Sequence, residues 1–255
     1  MSAVEGIGVT ATNSTESATS KRTLILRILT IVTGLSMVGG LYMALFYAGT
    51  DVTQGHVQRI FYIHVAAFSG AFVAFVATVV GGVAYLRTRN PKWDTLALAG
   101  VEVGFALSLI NLITGMVWAR PIWNTWWTWD PRLTSAAIMV LTYAAYLMLR
   151  NGIENPETRR RFASVYGVLA ITTVIATLII IRIRPDTIHP AVIGPSPQNA
   201  EGVFEMTSSM RATLGINSFI WSILVPATLI WHRIRLQNLH DRAQAMKAHL
   251  MSKQG

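Results

Sequence analysis

Residues 96–149 read L-A-L-A-G-V-E-V-G-F-A-L-S-L-I-N-L-I-T-G-M-V-W, then A-R-P-I-W-N-T-W-W-T-W-D-P-R, then L-T-S-A-A-I-M-V-L-T-Y-A-A-Y-L-M-L. Two apolar runs, Leu96–Trp118 and Leu133–Leu149, flank a short loop crowded with tryptophan. Glu102 is the one charged residue in the two runs. A helix needs about 20 apolar residues to cross the hydrocarbon core of a bilayer. The stretch therefore reads as two membrane-crossing helices joined by a loop at one face.

Four further segments have the same character: Leu24–Tyr47, Ile60–Leu86, Phe162–Ile183 and Leu214–Trp231. The expected fold is an all-α polytopic membrane protein with six transmembrane helices. Hydrophobic residues make up 52% of the 255, and charged residues only 13%. A soluble domain carries roughly 25% charged residues, so no sizeable soluble domain is expected. Residues 1–23 are rich in Ser, Thr, Ala and Gly and read as a disordered tail. Residues 24–237 form the membrane domain, with the Trp-rich loop at 118–132. Residues 238–255 are expected as a C-terminal tail.

Orientation follows from the basic residues. With both termini in the cytoplasm, 15 of the 21 Lys and Arg fall on the inner side, as cytoplasmic loops require. The Trp-rich loop, the 49–59 loop and the 184–213 loop then lie outside. The net charge of +9 is read as this topological bias and as contact with membrane lipid, not as a nucleic-acid footprint. The chain has no cysteine. Disulfides, thiolate metal sites and covalent C-x-x-C-H haem attachment are thereby excluded.

The loop holds five of the eight tryptophans: Trp118, Trp123, Trp126, Trp127 and Trp129. Indole rings favour the membrane interface, so a dense aromatic belt is one reading. A platform for a flat apolar ligand is the other. Arg120, Arg132 and Asp130 sit among the rings, and arginine pairs bidentately with carboxylates. Haem combines a planar macrocycle with two carboxylates. Trp123, Trp126 and Trp127 are spaced i, i+3, i+4 and would share one face of a short interfacial helix. Asp130 is a good N-cap for the next helix, with Pro131 at its first position.

Three histidines lie on the outer side. His64 is about one turn into the second helix, where an ionisable residue is costly enough to suggest function. It could equally bond a neighbouring helix. His189 lies just beyond the fifth helix and His56 in a short polar loop. His64 and His189 flank the helices that carry the Trp loop, and two imidazoles can take both axial positions of a haem iron. Glu102 and Asn111, inside the third helix, are candidates for polar contacts between helices. No acid–base pair, nucleophile motif or phosphate loop stands out.

The motif W-N-T-W-W-T-W-D-P-R-L-T-S resembles the signature of the Trp-rich haem-handling proteins of cytochrome c assembly. Six helices in about 250 residues resemble the cytochrome c maturation protein C, or haem exporter protein C, family. Phe61-Tyr-Ile-His64-Val and Met210-Arg211 add to the likeness, which runs from about residue 25 to 237. The resemblance implies non-covalent haem b displayed at the outer face of the bacterial inner membrane. It implies His64 and His189 as axial ligands of the iron. It also implies Trp118, Trp123, Trp126, Trp127, Trp129, Asp130, Arg120 and Arg132 as the haem surround. Implied partners are a periplasmic haem chaperone, a small single-span membrane subunit and ATP-binding-cassette transporter subunits. The implied role is delivery of haem for cytochrome c biogenesis, with no catalysis of its own. Competing roles are the core of a cytochrome c haem lyase, a haem-transporting permease, or a subunit whose Trp loop is a plain anchor. Two departures stand out. Asn124 replaces a usual glycine, and the segment after His189 is atypical.

Overall fold

A computed structural model of the chain describes residues 3–192, 196, 198, 200 and 206–253, with side chains from residue 20 onward. The helices are α1 (Ala3–Tyr42), α2 (Phe61–Thr88), α3 (Pro91–Trp123), α4 (Pro131–Gly152), α5 (Pro156–Ile183), α6 (Ser208–Phe219) and α7 (Val225–Ser252). The described residues contain no β-strand; an isolated bridge joins Asp51 and Gly55. Wide π-helical turns extend α1 over Met43–Tyr47 and join α6 to α7 over Ile220–Leu224.

Six stretches are long and apolar enough to span a membrane: Ser20–Tyr47, His56–Thr88, Pro91–Trp123, Pro131–Gly152, Pro156–Ile183 and Ser208–Ser252. They are the six expected spans, each longer than its apolar core. An even number of crossings brings both termini to the same end. Among the described residues, α1 is continuous from Ala3, where a disordered tail over 1–23 was expected, and no proline interrupts it. Likewise α7 continues as helix to Ser252 through the expected tail.

The joint between α6 and α7 has a local cause. Pro226 lacks an N–H and its ring crowds the preceding turn. The π-turn just before it absorbs the misfit. Trp221 presents its backbone carbonyl to Gly70 of α2, and a Cβ there would collide with it.

The centre of the bundle is the α2–α3 pair. Half of the α3 span is buried against 17% of the α1 span. Small residues let the two backbones meet. A Cβ on Gly100 would lie 2.6 Å from the Ala74 carbonyl oxygen, and one on Gly81 would lie 2.7 Å from Ala97 N. Gly104 leaves room for the Phe75 ring, which stacks on Tyr143 of α4 at 3.6 Å. The end of the bundle near the termini is cross-braced by ion pairs. Arg150 of α4 grips Asp94 of α3 with two hydrogen bonds of 2.6 and 2.7 Å. Glu102 of α3 pairs with Arg233 of α7, the interhelical role its position suggested.

Candidate functional site

The α3–α4 hairpin carries the site, and its loop begins where α3 stops. Asn124 closes α3 in the left-handed region, at φ 54°. A side chain there is disfavoured unless it is Asn or Asp, so a glycine or an asparagine can end the helix in this way. The departure at Asn124 therefore keeps the turn. It also ends the helix before Trp126 and Trp127, so the expected short helix over the tryptophans does not form. Residues 124–130 run as bend and extended chain.

Asp130 restarts the chain as the N-cap of α4. Its Oδ1 accepts from Arg132 N at 2.8 Å and Leu133 N at 3.4 Å, and Pro131 takes the first position. The same carboxylate reaches the segment after α5. Thr187 Oγ1 donates to Oδ1 at 3.0 Å, and Ile188 N donates to Oδ2 at 2.8 Å. One buried aspartate thus staples the α4 start to the residue before His189.

His189 is brought against His64 by that staple. The two ring centroids are 6.4 Å apart, with planes inclined by 33°. The Trp123 ring stands edge-on to His189 at 6.3 Å. On the α2 side, His64 lies beside Gly115 of α3, where a Cβ would sit 2.9 Å from the imidazole. Asn111 clamps it: Asn111 Nδ2 donates to the His64 carbonyl at 2.8 Å, and His64 Nδ1 donates to the Asn111 carbonyl at 2.9 Å. Asn111 Nδ2 also lies against the ring edge, 3.2 Å from Nδ1 and 3.4 Å from Nε2, with its shorter bond to the His64 carbonyl. His189 Nδ1 likewise donates to the Pro190 carbonyl at 2.8 Å. A carbonyl only accepts, so each Nδ1 carries the proton and each Nε2 keeps its lone pair. That is how a metal-binding histidine is oriented from behind. Burial pushes the His189 imidazole down to about 3, helped by the charge of Arg132 and by His64. It is neutral at physiological pH, as a ligand must be.

An imidazole nitrogen binds a metal at about 2 Å, and the ring centre lies about 1 Å farther back. Two imidazoles on opposite sides of one ion are thus about 6 Å apart, centre to centre. The observed separation fits. Among the described residues no three His, Cys, Asp or Glu converge, so the pair suits an ion whose other ligands come with it.

Two pockets share His64, His189, Asn111 and Arg132. One is walled by Trp118, Trp123 and Trp127; the other runs along α5 and includes Arg182. The Arg132 guanidinium lies over the Phe68 ring at 4.9 Å, and its Nη1 is shielded from solvent with no hydrogen-bond partner among the described residues. Such a nitrogen is expensive to leave bare. A carboxylate acceptor would satisfy it.

The remaining sequence candidates scatter. Trp118 is buried and donates to Gln54 at 2.9 Å. It stands edge-on to Trp123 at 5.0 Å and so props the wall. Trp126 and Trp129 are 54% and 79% exposed and line neither pocket. Arg120 is exposed and turns back to Asn124, the residue that ends its own helix. His56 is exposed and lines neither pocket. Asn111, Thr187 and Arg182 join the site without having been singled out for it. An asparagine within an apolar helix was the one signal that could have found any of them.

The comparisons with known proteins identify the family. The family model described as "Heme exporter protein C" matches residues 9–249. The chain belongs to this family. A "Heme exporter protein C" of Rhodobacter capsulatus is 37% identical over 139 residues, covering 54% of this chain and 56% of the relative. One of Paracoccus denitrificans is also 37% identical, covering 49% and 51%. A "ccmC-like mitochondrial protein" of Arabidopsis thaliana, named for cytochrome c biosynthesis, is 36% identical over 42% of each chain. The aligned segments span about half the length of these curated relatives. With six spans and bacterial relatives, this member of the haem exporter protein C family is a multi-pass protein of the bacterial inner membrane.

Proposed function

We propose that the chain binds haem b non-covalently at the outer face of the inner membrane and presents it for cytochrome c biogenesis. The observation that carries this reading is the His64–His189 pair, 6.4 Å apart, beside the unpartnered Nη1 of Arg132. The two Nε2 atoms hold the iron from either side. Arg132 takes a propionate, and Trp123 and Trp127 cover the macrocycle, with Trp118 behind them. Asp130 acts through the His189 segment. Trp126, Trp129 and Arg120, which are exposed, offer the surface from which a periplasmic haem chaperone receives the cargo. Both termini lie in the cytoplasm. A small single-span subunit and ATP-binding-cassette subunits complete the assembly, because the chain carries no nucleotide-binding motif of its own. The names of the relatives speak of export and biosynthesis, and no chemical step is assigned to the chain.

The test is the visible spectrum of the protein purified after haem-replete expression. The expected signal is low-spin, six-coordinate and fully extractable by acidified organic solvent. His64→Ala and His189→Ala should each lose it, and added imidazole should restore it. His56→Ala should leave it intact. A chain without haem, or one whose spectrum depends on His56 and not on His189, would overturn the assignment.

A further inference from the structure

Away from the site, the end of the bundle that carries both termini holds a second cleft, between α1 and α7. It is lined by Arg22, Thr23 and Leu26 of α1, and by Trp231, Ile234, Arg235, Asn238, Leu239 and Arg242 of α7. Three arginines converge there, and no carboxylate lines the cleft. None of the three forms an ion pair among the described residues, whereas Arg150 and Arg233 at the same end do. The depth is also informative. Arg22 stands two residues before the first apolar run, which begins at Leu24. Below the guanidinium groups the walls are apolar: Leu26 is only 1% exposed, and Trp231 and Ile234 are half-buried. Trp231 is an amphipathic ring at the level where indole favours the headgroup region. Leu239, 52% exposed, lies at the outer rim.

We propose that this cleft binds the headgroup phosphate of an anionic phospholipid, with the upper acyl chain along Trp231 and Ile234. Topology alone accounts for an excess of arginine at this end. It does not account for a cleft with three of them, no acid, and an apolar floor continuous with the membrane core. A soluble phosphate would use the cations and not the floor. An acidic peptide would meet apolar walls at membrane depth. A diacyl phosphatidylglycerol-type lipid uses both. Basic residues at a membrane surface attract anionic lipid by about fivefold in affinity each.

The experiment uses the full chain in lipid nanodiscs, with bound lipid counted by native mass spectrometry. Discs contain phosphatidylglycerol in a phosphatidylcholine background. The native chain should retain phosphatidylglycerol selectively. The combined variant Arg22→Gln, Arg235→Gln, Arg242→Gln should weaken that retention by about a hundredfold. Lys92→Gln, Arg161→Gln, Lys247→Gln removes the same charge from the same end and should retain it. Equal loss in both variants would reduce the effect to net charge and overturn the site. Displacement by millimolar inorganic phosphate would make it a soluble-anion site, and displacement by a polyglutamate peptide a protein-docking site; either overturns the lipid assignment. A readout on the otherwise native chain guards against a variant that misfolds. Acyl-brominated phosphatidylglycerol should quench tryptophan fluorescence more than brominated phosphatidylcholine does, and Trp231→Phe should abolish the difference. An unchanged difference in Trp231→Phe would also overturn the proposal.

Discussion

The two ends of α4 treat their arginines in opposite ways. Arg132 and Arg150 stand 18 residues apart on one helix, about 27 Å. Arg150 gives two nitrogens to Asp94, at 2.6 and 2.7 Å. Arg132 offers Nη1 to no acceptor among the described residues and rests on the Phe68 ring. Both lie in a low-dielectric setting where an uncompensated charge is costly. The paired arginine is explained by the fold. The one with a bare nitrogen is, on the proposed function, explained by a carboxylate that the ligand brings. A cation in a membrane protein therefore has to be judged by what faces it, not by its presence in a motif.

The largest expected effect tests the paired end. Asp94→Ala leaves Arg150 buried without its acceptor and should cost about 3–5 kcal/mol of stability, read as a lowered thermal midpoint in detergent. Haem bound per folded molecule should not change. A loss of haem affinity with normal stability would break the contrast between the two ends.

Arg132→Gln should show the mirror image. It removes a buried charge whose Nη1 has no hydrogen-bond acceptor among the described residues and which only the nearby Asp130 carboxylate and the Phe68 ring offset, so stability should change little. It also removes a charge-assisted bond to a propionate, worth about 1.5–3 kcal/mol, so haem retention should fall about ten- to hundredfold. Haem dimethyl ester, which lacks the carboxylates, should bind native and variant alike. Arg120→Gln should be silent in both assays, because Arg120 faces Asn124. A variant in which Arg120 matters and Arg132 does not would reverse the assignment of the propionate.

Asp130 separates scaffolding from positioning at smaller amplitude. Asparagine is about as good an N-cap as aspartate, so Asp130→Asn keeps the α4 start. It has a single acceptor oxygen, so it cannot also serve Ile188 N as the second carboxylate oxygen does. The cost should be about 1–2 kcal/mol, concentrated in the segment that carries His189. The spectrum should shift toward a five-coordinate species that imidazole corrects. A destabilised protein with an unaltered haem spectrum would leave Asp130 as a helix cap alone.

The sequence made the six spans legible because length and hydrophobicity suffice to define a membrane helix. It made the Asp130-Pro131 helix start legible because that signal is local. The pairing of His64 with His189 was reachable from topology, since both fall on the side where the Trp loop emerges. The roles inside the loop were not. The i, i+3, i+4 spacing of Trp123, Trp126 and Trp127 holds only if the helix continues, and the left-handed turn at Asn124 stops it. Trp118 reads as one more platform ring, yet its N–H faces Gln54 from another loop. Asn111 was visible as a costly polar residue. That it clamps both the carbonyl and the ring orientation of His64 depends on the helix crossing, which no periodicity encodes.

The smallest expected effect is a pH dependence. His189 is held neutral by burial and by the charge of Arg132, its imidazole lowered from 6.5 to about 3. In the unfolded chain it protonates at its ordinary value, so below that value the unfolded state binds a proton that the native state refuses. The stability contribution is fully present above pH 6.5 and is lost progressively as pH falls toward 3. Between pH 7.5 and 5.5 the haem-free protein should lose about 1 kcal/mol from this residue. Carboxylates elsewhere respond to acid as well, so the informative quantity is the difference from His189→Gln, which has no imidazole to protonate. The thermal midpoint of the native chain should fall more over this interval than that of the variant. An equal fall of the midpoint over this interval in native and His189→Gln protein would mean that His189 is solvated in the haem-free chain. The bare guanidinium of Arg132 would then face water, and the contrast between the two ends of α4 would fail.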